Sequence, residues 1–208
     1  KRIAVLPIYF NKTGFQILNA NVLASKIDWM LTQNLVSYLV QTRKFTVLDR
    51  EYMKAIEGEQ SIIKQGETQI EETVKLGQKL FSDYIFIGNL EKLVAEEKEV
   101  KLITSDKKMK SRKGIIEFNY RIIDVPTSQI MYSNDHRGVY DLNKFSNSTS
   151  IESEIIRLTS LEIGQDILYA IYPLRIEKID GDTAFIGQGG MQLEENDEYL
   201  IYELGDKI

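Results

Sequence analysis

The sequence predicts an α/β fold: a mixed β-sheet that starts β-α-β-α-β, an antiparallel meander with flanking helices, and a short all-β C-terminal unit. Three apolar runs alternate with helical patterns in the first 90 residues, an order typical of parallel strands joined by crossover helices. The middle of the chain mixes apolar and polar residues around Pro126, as antiparallel strands do. We therefore expect a domain over 1–172 and a second unit over 173–208.

The composition is that of a water-soluble globular protein and excludes several functions. Hydrophobic residues make up 43% of the 208 residues and charged residues 27%, which is ordinary for a folded domain. No apolar run approaches the roughly 20 residues that a membrane-spanning helix needs. The absence of cysteine excludes disulfides, thiol chemistry and the common structural zinc sites. The net charge of −5 opposes nucleic-acid binding.

Strands are predicted in two groups within the first domain. Continuous apolar character suits central strands that are buried on both faces, and it is found at Ile3–Phe10, Phe45–Leu48 and Tyr84–Leu90. Mixed character predicts the meander, at Val100–Thr104, Gly114–Val125 and Gln129–Tyr140, with a turn at Pro126-Thr127-Ser128. Asn11 and Gly14 are expected to form a turn as the chain crosses from the first strand to the first helix. Three further short strands are expected in the tail, around 175–179, 183–187 and 198–204.

Helices are predicted from apolar spacings and capping boxes. A stripe with spacings of three and four predicts a helix from about Val22 to Thr42, formed by Leu23, Ile27, Met30, Leu31, Leu35, Tyr38 and Leu39. Capping boxes start two more helices, at Thr68 with Glu71 and at Thr149 with Glu152. The first helix should bury Ile70, Val74, Gly77, Leu80 and Phe81. The second helix should run to about Tyr172 and should bury Ile156, Ile163, Ile167 and Ala170. Asp49 is expected to cap a shorter helix that runs to Ile56.

A cluster of positive charge is the candidate contact site. Five basic residues crowd into seven positions where we expect the tip of a hairpin: Lys107, Lys108, Lys110, Arg112 and Lys113. Such a cluster can meet an anionic surface or an acidic partner. The alternative is a solvated loop beside the acidic stretch formed by Glu96, Glu97 and Glu99.

Other conspicuous residues are interpreted as structural. His136 is the only histidine, and one imidazole does not supply a typical metal site or triad, so we expect it at the surface. The glycines of 187–190 are followed by a strand, whereas a phosphate loop is followed by a helix, so they predict a tight turn. Trp29 is expected to pack in the core or against a helix. We therefore expect no catalytic residue, cofactor or metal.

The order of several motifs resembles one family of bacterial envelope proteins. The motifs are IAVLPI followed by Asn-x-Thr-Gly, then KFTVLDRE, then DYIFIGNL, and then RIIDVPTSQI. Together they resemble the family of the curli secretion channel, which includes the activator lipoprotein of penicillin-binding proteins and the flagellar T-ring protein. The tail, with YPLRI at 172–176 and NDEYLIY at 196–202, resembles the small β-barrel of the T-ring protein. On this resemblance we expect the barrel to be incomplete in this chain.

The resemblance implies a non-enzymatic protein of the periplasm, associated with the outer membrane. Its implied partners are a peptidoglycan synthase, secretion or flagellar components, or further copies of itself, with membrane contact only through an anchor upstream of Lys1. Pore hairpins must alternate apolar and polar residues, whereas Lys92 to Arg112 is dense in Lys and Glu. Two alternatives remain open: a secretion-channel subunit without its pore hairpins, and a small-molecule or nucleotide-binding domain with its cleft at strand ends.

Overall fold

The structure is a computed structural model that describes residues 1–48, 70–101, 108–144 and 150–187, together with 198 and 201. Its contacts divide the chain into two compact units, Lys1–Ile171 and Tyr172–Ile208. The strands of the first unit are β1 (Arg2–Val5), β2 (Gly14–Ile17), β3 (Ala20–Leu23), β4 (Thr46–Val47), β5 (Tyr84–Lys101), β6 (Lys108–Asp124) and β7 (Gln129–Asp141). Its α-helices are α1 (Ala24–Gln41), α2 (Ile70–Lys79) and α3 (Ile151–Ile171), and a short 3-10 helix covers Leu142–Lys144. Among the described residues, no helix is both long and apolar enough to span a membrane.

The sheet is mixed, as predicted. β1 lies parallel to both β4 and β5, so the β-α-β-α-β order of the first three predicted strands is confirmed. β5, β6 and β7 form the predicted antiparallel meander, which turns over 125–128. β5 is the central strand because it pairs with β1, with β6 and, at Ala95, with β2.

An unpredicted hairpin stands between β1 and α1. β2 and β3 pair antiparallel around a two-residue turn at Leu18 and Asn19, where the sequence predicted a simple crossing to the helix. Such turns need left-handed backbone and usually carry Asn-Gly or a similar pair. Here Leu18 takes the left-handed position, with φ of 51°, so the usual turn signal is missing from the sequence.

Two predicted strand boundaries were wrong. No separate strand begins at Val100, where the sequence predicted one over Val100–Thr104, because Val100 belongs to β5, which runs unbroken from Tyr84. Residues 102–104 lie outside the described residues. The first strand ends at Val5, short of the predicted Phe10. Pro7 lies just beyond its end and has no N–H to give to a ladder.

Helices cover both faces of the sheet. Ile85 and Ile123 point to α2, where they pack with Val74 and Leu80. Residues of the opposite parity face the other way, towards the layer of α1 and α3, where Gly114 of β6 lies against Ile155. α1 and α3 pack on each other so closely that Gly164 of α3 abuts the ring of Tyr38. A three-layer core results.

The predicted helix faces are confirmed with exceptions. Five members of the first stripe are buried: Ile27, Leu31, Leu35, Tyr38 and Leu39. Leu23 is 63% exposed because it belongs to β3. Trp29, predicted to pack in the core or against a helix, is 59% exposed on α1. Phe81 is also exposed, because α2 ends at Lys79 and the backbone turns left-handed at Phe81. The caps predicted at Asp49, Thr68 and Thr149 lie outside the described residues.

The second unit contains a hairpin of β8 (Ile176–Asp180) and β9 (Thr183–Ile186). Its turn places Gly181 at φ of 58°, a left-handed conformation that glycine adopts without strain. Two of the three predicted tail strands are thus present. Of the third, 198–204, the structure describes only 198 and 201, and neither is in a strand.

Candidate functional site

A row of polar side chains lies between β7 and α3. Alternate residues of a strand point to one face, and here four of them face the helix: Tyr132, Asn134, His136 and Tyr140. Three residues of α3 contact these side chains: Thr159, Glu162 and Asp166. We call these seven residues the β7–α3 row. Sequence reasoning missed it, although polar residues at every second position of a strand were a visible signal.

Glu162 is the centre of one half of the row. Its Oε2 atom accepts a hydrogen bond from the Tyr140 hydroxyl at 3.1 Å and lies 3.2 Å from His136 Nε2. The Tyr140 hydroxyl also lies 3.0 Å from Thr159 Oγ1. Gly138 leaves room for this arrangement, since a Cβ there would overlap the Tyr140 ring. His136 is therefore partly buried against α3, which corrects the prediction of a surface position.

Asp166 organises the other half of the row. The Tyr120 hydroxyl of β6 donates a short hydrogen bond to Asp166 Oδ2. Asn134 Nδ2 lies 3.3 Å from both the Tyr120 hydroxyl and Asp166 Oδ2 and donates to them. The rings of Tyr120 and Tyr132 stand 6.0 Å apart in a tilted arrangement. These contacts fix α3 to the outer strands of the meander.

The protonation states match a hydrogen-bonded network. Burial raises the pKa of Tyr120 and of Tyr140 well above the ordinary phenol value, so both hydroxyls keep their protons. The hydrogen bond with His136 lowers the pKa of Glu162, against the opposing effect of its desolvation. A general acid needs the opposite shift of its carboxyl pKa. These shifts suit a row that joins helix to sheet.

The predicted basic cluster lies mostly on a strand. β6 begins at Lys108, so only Lys107 falls in the undescribed 102–107, and the predicted placement at a hairpin tip was wrong for the other four. Arg112 Nε makes an ion pair of 2.7 Å with Glu97 Oε2 on β5. The pairing register sets Lys110 opposite Glu99, and Lys113 opposite both Glu96 and Asp141.

Opposite charges face each other at three places in this hairpin arm, Glu96–Lys113, Glu97–Arg112 and Glu99–Lys110, whereas Lys101 lies opposite Lys108. Residues 96–113 contain seven basic and four acidic side chains, so the arm keeps an excess of positive charge in a chain that is acidic overall. Cross-strand pairs of opposite charge stabilise the hairpin. The acidic stretch seen in the sequence is thus the strand partner of the basic cluster.

The chain itself fills the end of β1, one of the strand ends that could form a nucleotide cleft. Beyond β1 the backbone continues along β5, with the Tyr9 N–H donating to Gly88 O at 2.9 Å and the Leu90 N–H to Tyr9 O at 2.9 Å. Asp28 of α1 is buried beside this segment, and its Oδ1 atom accepts from the Ile8 N–H at 2.9 Å. Ligands of open α/β sheets usually bind at this edge, and at β1 it is occupied by protein.

Two other candidate sites have simple outcomes. Gly187, the first of the predicted glycine turn, donates its N–H to Arg175 O at 3.1 Å within the second unit, and 188–190 lie outside the described residues. Within the described ranges, no group of three or more His, Cys, Asp or Glu side chains could hold a metal ion.

Three solved structures are similar to this chain at low sequence identity. They are the hypothetical protein CT253 from Chlamydia trachomatis (13% identity, 82% of this chain and 94% of that chain, TM-score 0.49), lipoprotein GNA1162 from Neisseria meningitidis (10%, 78% and 96%, TM-score 0.45) and the PelC dodecamer from Paraburkholderia phytofirmans (9%, 82% and 86%, TM-score 0.43). All three TM-scores lie below 0.5, and we draw no conclusion from them. No curated protein matches the chain by sequence.

A family model gives the decisive match. It is described as the curli production assembly/transport component CsgG, and it matches residues 2–161. The matched range covers all the strands of the first unit and the first half of α3. The resemblance stated from the sequence motifs is therefore confirmed. Because the match spans well over half of the chain, the protein belongs to the CsgG family of curli production assembly/transport components.

Proposed function

We propose that the protein is a non-enzymatic assembly or regulatory factor of the bacterial cell envelope, located in the periplasm and associated with the outer membrane. It acts by binding other envelope proteins or by self-association. The observation that carries the proposal is the family match over residues 2–161, a family described by assembly and transport. The β7–α3 row supports it as well, since its polar groups are used to hold a helix in place.

The open face of the meander has the character of a recognition surface. Val94, Ile115 and Val139 are directly opposite one another on β5, β6 and β7, and Val139 is 54% exposed. The neighbouring row is charged: Glu117 Oε1 lies 3.4 Å from Lys92 Nζ and 3.6 Å from Arg137 Nε. An apolar strip with a charged border resembles the core and rim of protein interfaces.

Capture of partners from intact envelopes tests the proposal. The wild-type chain, cross-linked in cells, should retrieve a peptidoglycan synthase, a secretion component or a flagellar component. Val139→Lys should reduce this capture, because it puts a charge in the apolar strip. Val40→Lys is the matched control, since Val40 is equally exposed on α1. If wild type retrieves no envelope protein and is monomeric, the proposal fails.

We also propose that the basic cluster contacts an anionic envelope surface or an acidic partner. Lys107, Lys108, Lys110, Arg112 and Lys113 give the hairpin arm its positive excess. Neutralising Lys110 and Lys113 together should weaken binding to phosphatidylglycerol vesicles or to isolated cell-wall sacculi, and more so at low salt. Lys12→Gln, at an exposed position before β2, is the control. Equal binding by both variants would contradict a role for the cluster.

A secretion-channel subunit is the second candidate. The family description includes transport, and the hairpin of β5 and β6 is long, with 18 and 17 residues. A membrane-crossing strand needs about 10 residues with a lipid-facing apolar side, whereas the outer part of this hairpin is charged. We therefore expect no ion conductance when the protein is added to planar bilayers. Stable conductance steps would favour the channel.

A further inference from the structure

We infer that β7 is a dimerisation edge, at which two copies of this chain pair antiparallel with His136 on the twofold axis. Among the described residues, β7 pairs with β6 alone, so one side of this 13-residue strand carries ladder groups that the sheet does not use. Long unpaired edges are templates for pairing with another chain. The inference rests on the self-association part of the proposed function and deepens it.

The charges along β7 select the register. In an antiparallel pair, directly opposite residues point to the same face, and a centre at His136 sets Asp135 opposite Arg137 of the second copy. The twofold axis repeats the contact, so two pairs of opposite charge form. Both residues lie on the open face, and the Arg137 side chain is 66% exposed. Its ion pair with Glu117, at 3.6 Å, is long.

Neighbouring registers lack this complementarity. A centre at Asp135 sets Asp135 opposite its own copy, and a centre at Arg137 sets two arginines opposite each other. Like charges directly opposite in a sheet are destabilising. The register centred on His136 also sets Ser133 opposite Val139 of the second copy. Charge complementarity therefore favours this pairing.

The helical layer is compatible with a continuous sheet. α3 lies across both outer strands, since it contacts Gly114 and Tyr120 of β6 and Tyr140 of β7. A helix placed midway over this strand pair would stand two strand spacings, about 10 Å, from its symmetry mate. Packed helices stand about 8–10 Å apart. The two α3 helices would therefore meet at packing distance.

Charge reversal tests the pairing with the full chain. Wild type should dimerise in sedimentation equilibrium, and Asp135→Arg should raise the dimer dissociation constant about tenfold or more, because both pairs become like-charged. Arg137→Asp should act in the same direction. The double reversal Asp135→Arg with Arg137→Asp should restore dimerisation, because the pairs return with exchanged signs. Unfolding midpoints control for folding.

Single cysteines test the register, since the chain has none of its own. A mixture of Ser133→Cys and Val139→Cys variants should form disulfide dimers under mild oxidation, because the two positions are opposite. Either variant alone should form few, since its cysteines would stand six residues, about 20 Å, apart. A monomeric wild type, or equal cross-linking in all three samples, would overturn the inference. If the dimer is absent but envelope partners are still captured, the inference alone fails; loss of both overturns the proposed function too.

Discussion

Glu162 is the residue on which the β7–α3 row depends most. It receives contacts from His136 and Tyr140 on the strand, and these lower its pKa from the usual 4.5. A group whose pKa is lower in the folded state stabilises the fold above its usual pKa. That contribution is lost as the pH falls through the lower, folded value. The row should therefore weaken in acid.

We expect Glu162→Gln to lower the free energy of unfolding at about pH 6, where only the wild-type side chain is an anion. At about pH 3 the difference should be smaller, because the contribution of the carboxylate is lost as the pH falls from the usual pKa through the lower, folded value. Urea unfolding at both pH values measures the difference. Glu71→Gln, at an exposed position of α2, is the control. A Glu162→Gln effect that is constant across this range would contradict the role of the anion.

Gly164 is the second residue with a sharp role, at the contact of α1 with α3. A Cβ at this position would overlap the Tyr38 ring, which is only 7% exposed. Alanine favours a helix over glycine by about 1 kcal/mol, but overpacking of a core costs about 1–3 kcal/mol. Gly164→Ala should therefore give a net loss of stability in urea unfolding. Gln165→Ala, the next residue along the helix, should change it by less than about 0.5 kcal/mol.

At the scale of elements, α2 ends in a complete C-terminal cap. The Phe81 N–H donates to Gln78 O and the Ser82 N–H to Gly77 O, both at 3.0 Å, which is the pattern of a Schellman motif. Phe81, the first of the two donors, has φ of 53° and is 68% exposed. The motif prefers glycine at this place, so Phe81 carries backbone strain there.

Phe81→Gly should raise the free energy of unfolding by about 1 kcal/mol, because glycine adopts the left-handed conformation without a steric penalty. Gln78→Gly, within the same helix, should lower it by about the same amount. Both are read from urea unfolding curves. If Phe81→Gly instead lowers the free energy of unfolding, the Phe81 ring makes a contact that stabilises the fold by more than the backbone strain destabilises it.

The elements that could be predicted are those with a strong local pattern. The parallel strands at Ile3 and Tyr84 were visible as continuous apolar runs, and α1 as a stripe. The hairpin of β2 and β3 was not, because Leu18 stands where a turn residue is expected. The β7–α3 row joins residues such as Asn134 and Asp166, 32 positions apart. Such contacts depend on strand register and helix packing, which no local pattern encodes.

At the scale of the whole molecule, the first unit contains its own core. α3 completes it with five apolar residues that are at most 1% exposed: Ile155, Ile156, Ile163, Ile167 and Leu168. In the second unit, every residue of β9 is exposed. The free energy of folding of the first unit therefore comes from the sheet and the three helices.

A chain that ends at Tyr172 should fold and unfold cooperatively, with a urea midpoint close to that of the first unit in the full chain. A chain that ends at Ser150 should not fold, because it lacks the apolar face of α3. Circular dichroism and urea unfolding distinguish the two. Loss of cooperative unfolding in the chain that ends at Tyr172 would show that the first unit needs the second.

The pairing of β1 with β5 also has a consequence for how the protein is made. Arg2 and Asp83 exchange backbone and side-chain hydrogen bonds across 81 positions, so β1 leaves the ribosome long before its neighbour exists. Contacts this distant in sequence slow folding. During synthesis the apolar residues of β1 therefore stay exposed until β5 has been made. A chaperone can bind them in that interval.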